Sequence, residues 1–350
     1  MSARALKFVF VLLLIPCLLC SCGMRGGNEP EQIYTVSAVG FDGDGEMLRL
    51  TVEVPLSRES DTQSMETKLF KGEGKTVEAA LLNVTVGMAR ELSFAHCALM
   101  VLGEGLSEEQ TDAVFAFAER GERIPIAAEV VLTPDAEALL AGGSLSAPAA
   151  GYDIPLILRE VKSLLGVETR SRVYELRAHH SEHTPTVLPY FSAAVEEDAR
   201  GAVFEGLALL QRGKKTVCLD ETESVYYALL SDRFGGASGG VSVLDGLDIE
   251  RVWSDLTVEA ASPATFVLRL RMRAAREGSA VDLRETEARI KQSAEALFLS
   301  LRTEAGGDVF GFRDRLTDIP AEWSEADYTL RFADAILRVD CIIEVRGGEA

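Results

Sequence analysis

The sequence predicts an α+β protein of more than one domain, and three observations carry that expectation. Leu48, Leu50, Val52 and Val54 recur at period two, the spacing of a strand with one face buried. Val77, Leu81, Val84 and Met88 recur at intervals of three and four, one face of a helix. The two patterns alternate along a chain of 350 residues, so helices and strands must share layers.

The first twenty-three residues stand apart. Arg4 and Lys7 form a basic head, and an uncharged apolar run follows from Phe8 to Cys20. Spanning a bilayer takes ~20 apolar residues, so the run reads as a secretory signal and not as a membrane span. Leu19, Ser21 and Cys22 stand at −3, −1 and +1 of a lipobox. Cys17 and Cys20 fit worse, because Pro16 and Leu19 precede them where a small residue is needed. The expected organisation is a lipoprotein signal peptide over residues 1–21 and a lipidated tether over 22–32, with Cys22 as the lipidation site. Two acyl chains hold a protein stably, at ~0.8 kcal/mol per buried methylene. An ordinary secretory signal is the bland alternative, but no Ala-x-Ala-like site is present.

Removing residues 1–21 from the 350 leaves 329, which at ~150 residues per domain suggests two or three domains. The formal charge is −20, and loss of Arg4 and Lys7 leaves 33 basic against 55 acidic residues. Phosphate backbones and anionic headgroups repel such a chain, so nucleic acid is not an expected partner. Cys97, Cys218 and Cys341 remain outside the export region, too far apart for metal-ligand spacing and odd in number. Apolar neighbours make buried free thiols the expected state.

In chain order, strands are predicted over residues 34–41 and 47–55, joined by a turn at Asp42-Gly43-Asp44-Gly45. A calcium loop would need Gly at its sixth position and Glu at its twelfth, and the spacing fails. Residues 57–68 read as a polar loop. Gly72-Glu73-Gly74-Lys75-Thr76 invites a phosphate-loop reading, but Leu69 stands where the first Gly belongs. Thr76 instead caps a helix with Glu78 in its first turn. Residues 97–102 form an apolar run suited to a strand covered on both faces. Ser107-Glu108-Glu109-Gln110 is a capping box. A strand over 126–132 precedes a short helix begun at Thr133-Pro134 and ended at Gly142-Gly143.

Residues 144–151 are small and mark a boundary. A helix from Pro155 buries Leu158, Val161 and Leu165, and strands follow over 172–178 and 186–195. His179, His180, Glu182 and His183 lie between them. His179 and His183 share a face only on a helix, which Pro185 disfavours, so a solvated loop is preferred to a zinc site. Residues 204–210 and 216–219 form a hairpin, and residues 220–223 cap the next helix. The Gly-rich stretch 231–240 reads as a linker. Strands over 250–259 and 265–273 and a helix from Asp282 to about Arg302 follow, with Leu283, Ile290, Leu297 and Leu301 as its stripe. Beyond Trp323, the last strand spans 336–345. The breaks divide the chain into an N-terminal domain (33–145), a middle domain (146–235) and a C-terminal domain (236–350).

No Gly-x-Ser-x-Gly elbow, His-Glu-x-x-His, Cys-x-x-Cys or dinucleotide fingerprint is present. Four histidines leave few general bases near neutral pH. The expectation is a protein that is not an enzyme and has no catalytic, metal or cofactor-binding residues.

Several motifs, in order, resemble the Ger(x)C family of spore germination lipoproteins. They are the lipobox Cys22, Val36-Ser37-Ala38-Val39-Gly40-Phe41-Asp42, Gly74-Lys75-Thr76 with Glu78-Ala79, and Leu92-Ser93-Phe94-Ala95-His96 with Val101-Leu102-Gly103-Glu104. Leu188-Pro189, Phe204-Glu205-Gly206-Leu207-Ala208, Phe310-Gly311-Phe312, and Pro320 with Trp323 continue the series. The resemblance implies three mixed α/β domains with largely antiparallel sheets flanked by helices. It implies a C subunit of a nutrient germinant receptor on the outer face of the inner spore membrane. Its partners would be integral membrane A and B type subunits, and its role assembly or signalling. The competing expectation is a solute-binding lipoprotein that delivers a nutrient to a permease.

Overall fold

The computed structural model describes residues 33–57, 65–120, 124–142, 149–176, 185–196, 199–211, 214–241, 244, 247–261, 263–275, 281–305, 307–316 and 323–345. Cys22, the other export-region residues and the histidine loop lie outside them.

The chain opens with β1 (Ile33–Thr35), β2 (Ala38–Asp44), β3 (Met47–Ser57) and β4 (Met65–Gly74). There follow α1 (Val77–Thr85), β5 (Glu91–Ser93), β6 (Leu99–Gly103), α2 (Glu108–Glu119), β7 (Glu129–Thr133), α3 (Ala136–Ala141) and α4 (Ala150–Leu165). Next come β8 (Thr186–Glu196), β9 (Ala199–Gln211), β10 (Lys214–Leu219) and α5 (Glu221–Leu230). The last part holds β11 (Ala237–Val241), β12 (Leu247–Ala261), β13 (Ala264–Ala275), α6 (Leu283–Glu304), α7 (Phe312–Arg315), α8 (Glu325–Ala333) and β14 (Ile336–Val345). The fold is α+β, as the sequence predicts, and its sheets mix parallel and antiparallel strands.

One eight-stranded sheet has the order β10-β9-β8-β7-β6-β2-β3-β4, and a four-stranded sheet has the order β11-β12-β13-β14. The middle of the large sheet is parallel, β2 with β6, β6 with β7, and β7 with β8. It therefore joins strands from residues 38–133 and from 186–219 in one hydrogen-bonded layer, while β1 and β5 pair separately.

Period-two alternation sends the two faces of the large sheet into different cores. Leu48, Leu50, Val52 and Val54 face α1 and α2 in one cluster, with Val39 and Phe41. Ala38, Leu99, Val101 and Val131 face α3, α4 and α5 in the other, which continues into the four-stranded sheet. Helix α4 packs on β11, and α5 packs on both β9 and α6, so these two helices join the sheets.

The expected caps are present. Thr76 Oγ1 accepts the Ala79 N–H at 3.1 Å. Ser107 with Gln110, and Asp220 with Glu223, form reciprocal capping boxes.

Four expectations are corrected. Residues 65–74 are strand β4, where a loop and its lead-in were expected. Gly72 and Gly74 lie under α1, and a Cβ at Gly72 would meet the Ala80 carbonyl oxygen at 2.3 Å. Helix α4 begins at Ala150, not Pro155, because a side chain from β3 caps its start (below), and Pro155 sits inside it. Residues 173–176 form a helical turn, not a strand. The expected linker at 231–240 contains strand β11, paired antiparallel with β12; a Gly-rich strand carries no apolar alternation for the sequence to display.

Candidate interaction surface on the C-terminal sheet

The four-stranded sheet has one face in the core and one in solvent, and β13 sets the division. Phe266, Leu268, Leu270, Met272 and Ala274 are buried, whereas Arg269, Arg271 and Arg273 are exposed. The inner face meets a dense aromatic core. Phe298 of α6 stacks on Phe312 of α7 at 5.7 Å and 10°, and Phe266 meets Phe312 edge-on at 5.5 Å. Edge and offset ring contacts of this kind add to simple burial, so the inner face is a rigid footing for the outer one.

Three arginines at alternate positions of one strand repel one another unless neighbouring strands answer them. Arg269 bonds Asp255 of β12 at 3.2 Å, and Arg271 bonds Glu344 of β14 at 2.6 Å. Arg338 on β14 bonds Glu259 of β12 at 2.6 Å. The Glu344 hydrogen bond holds the Arg271 guanidinium more firmly protonated.

Arg273 is answered differently. Its guanidinium lies 5.1 Å from the centre of the Trp253 ring, and that of Arg251 lies 5.4 Å from the same ring. Trp253 is paired with Arg271 across the sheet and remains 37% exposed. Ile342, beside Arg271 on the other side, is 58% exposed. Among the described residues neither Arg251 nor Arg273 has a carboxylate partner. A groove of about 750 Å³ runs from Trp253 past Arg271 and Ile342 to Arg284, Glu287 and Lys291 of α6.

The rim of that groove is the outer edge of β14, and α6 closes it. Glu295 Oε1 accepts the Val339 N–H at 2.9 Å, and Glu287 Oε1 accepts the Ile343 N–H at 2.8 Å. The two glutamates are eight residues apart on the helix, about 12 Å at 1.5 Å per residue. The two amides are four residues apart on the strand, about 13 Å at 3.3 Å per residue. This match of helix and strand pitch lets two side chains occupy the edge that would otherwise pair with another strand.

Other polar groups satisfy one another. Glu104 accepts from Tyr190 Oη at 2.5 Å and from Lys215 Nζ at 2.7 Å. Burial and the Glu104 bond push the Tyr190 hydroxyl pKa up. Half-buried Asp308 accepts from Tyr328 Oη at 2.7 Å and from the Arg313 N–H at 2.9 Å. Burial holds the Asp308 carboxyl above the usual range.

The three thiols are free, but only Cys97 is fully buried. Cys218 is exposed on β10, the outermost strand of the large sheet, and Cys341 is half-buried, which corrects the expectation of three buried thiols. Burial pushes Cys97 and Cys341 up to about 12. Among the described residues no helix is long and apolar enough to cross a membrane.

The sequence reading missed this surface. Its signal was present: Arg269, Arg271 and Arg273 at period two, with Trp253 in the preceding strand, flanked by Arg251.

Residues 26–193 match the family described as spore germination protein N-terminal domain. The fold is similar to that in the crystal structure of the GerBC protein, with a TM-score of 0.53 at 13% identity, covering 88% of this chain and 97% of that one. No curated protein matches the chain.

Proposed function

We propose that the chain, whose residues 26–193 match the spore germination protein N-terminal domain, is a Ger(x)C-family protein and the lipid-anchored C-type subunit of a nutrient germinant receptor. Cys22 carries the lipid, and the body stands on the outer face of the inner spore membrane beside integral A and B type subunits. It acts in assembly or signalling and performs no chemistry of its own.

The observation that carries this reading is the N-terminal domain match, and the likeness to GerBC over 88% of the chain supports it at the level of fold. The polar clusters favour a non-enzymatic role. Glu104, Tyr190 and Lys215 are committed to one another, and the buried acids are committed to backbone N–H groups. A nutrient-delivery protein would place a cleft between two similar lobes; here the eight-stranded and four-stranded sheets are unlike in size and order.

The test is affinity purification of the tagged full-length chain from detergent-solubilised spore membranes. Recovery of a multi-span polypeptide in stoichiometric amount is the expected result. A chain that purifies alone, or that turns over a substrate, contradicts the reading.

A further inference from the structure

We propose that Arg251, Trp253 and Arg273 form a clamp for an acidic segment of a partner subunit. Its carboxylates would fill the two guanidinium forks, and an adjoining apolar side chain would lie on the indole and on Ile342. The proposal rests on the receptor reading and names the chemistry of one contact within it.

The first support is the charge balance. The chain has 55 acidic residues against 35 basic ones, so an exposed arginine meets internal carboxylates readily. On this face Arg269, Arg271 and Arg338 each have one. Arg251 and Arg273 have none among the described residues, although they lie on the same face of the same sheet.

The second is geometry. A guanidinium stacked on a ring uses its flat face and leaves its in-plane N–H donors open. Those donors match a carboxylate in bidentate fashion. Arg251 and Arg273, paired across the sheet, both lie over Trp253, at 5.4 and 5.1 Å from the ring centre. They are held in place before any ligand arrives, which lowers the entropy cost of binding. Tryptophan and arginine together, centred on a partly exposed ring, are the residue types that dominate interface energetics.

The third is what the rest of the molecule repels. A net charge of −20 drives an acidic segment away from most of the surface and confines it to the surplus cations. The same charge opposes an anionic bilayer, which holds a protein electrostatically only through a polybasic cluster.

The test uses the full-length anchored chain with a photo-crosslinking benzoylphenylalanine in place of Ile342. The expected product is a crosslink to another polypeptide, at a peptide holding two or more Asp or Glu. Arg251→Glu/Arg273→Glu, and the milder Arg251→Gln/Arg273→Gln, should lower its yield by about tenfold or more, since charge reversal adds repulsion to the lost pairs. Lys75→Glu, an exposed charge reversal just past β4 of the large sheet, should leave the yield unchanged. Crosslinks unaffected by the arginine variants, crosslinks to a second copy of this chain or to lipid alone, and no crosslink at all each overturn the proposal. Binding to phosphatidylglycerol vesicles that the arginine variants abolish also overturns it, by assigning the clamp to lipid. Purification of the chain with a multi-span polypeptide is scored separately. If it persists while the crosslink ignores the arginine changes, the clamp alone fails and the receptor reading stands.

Discussion

The Glu53 carboxylate on β3 receives the Gly151 backbone N–H at 2.9 Å, across a sequence separation of 98 residues. Its other oxygen receives the Ala150 N–H at 2.9 Å, and Ser37 Oγ donates to Oε1 at 2.7 Å. Glu53 is fully buried, so a strand side chain serves as the cap of α4. Asp42 repeats the device one strand away, receiving the Ala136 and Glu137 N–H groups of α3 at 2.8 and 3.0 Å. Both carboxylates occupy helix N-termini, where backbone donors and the helix dipole favour an anion.

Glu53→Gln should therefore destabilise the body. The amide nitrogen would face the Ala150 N–H, donor against donor, and an unmet buried donor costs ~1–3 kcal/mol. Urea unfolding should show a lower midpoint at an unchanged slope. An unchanged midpoint would mean that the carboxylate does not hold the helix.

Burial raises the carboxyls of Glu53 and Asp42 above their ordinary values, outweighing the bonds that lower them. A raised value in the folded state means that the folded chain binds protons over a range where the unfolded chain has released them. These two groups thus contribute stability that is complete below the ordinary carboxyl range and is lost as pH rises through the folded value. The melting temperature should rise as pH falls from 7 toward 5. Glu53→Gln should flatten part of that rise, and an identical pH profile in wild type and variant would contradict the assignment.

Gly72→Ala should be harmful, because the new methyl would meet the Ala80 carbonyl oxygen of α1 at 2.3 Å. The helix must then move off β4, with an expected loss of ~1–3 kcal/mol. Gly87→Ala is the control, since nothing lies within 4 Å of its added Cβ, and it should stay within ~0.5 kcal/mol of wild type. Equal melting temperatures for the two variants would remove the close approach as the reason for glycine at position 72.

Glu287→Ala/Glu295→Ala should open the outer edge of β14. Two charge-assisted bonds are lost at ~1.5–3 kcal/mol each, and the freed amides form a template for another strand. The expected signs are a lower unfolding midpoint and light scattering that grows with protein concentration. A double variant that stays monodisperse at high concentration would show that the edge is protected by something else.

Elements with strong local patterns were legible in the sequence. The alternation in β3, the caps at Thr76, Ser107 and Asp220, and the stripe of Ile290, Leu297 and Leu301 all appear where residue type and spacing place them. What escaped depends on contacts between distant segments. Glu53 alternates with apolar residues and looks like a solvent-facing position, and only the arrival of α4 makes it buried. The start of α4 moved from Pro155 to Ala150 for the same reason. Strand β11 has too little side chain to display a period, and β4 hid behind glycines that serve helix packing. The arginine and tryptophan face was visible as a pattern, but its meaning depends on which cations find carboxylates across the sheet.

In the proposed function, one lipidated thiol makes this acidic body a membrane-side receptor subunit. Mass spectrometry of the mature N-terminal peptide, taken from the membrane fraction, tests it most directly. The expected peptide begins at Cys22 and carries a diacylglyceryl thioether. A mature terminus at any other residue, or an unmodified Cys22, would contradict it.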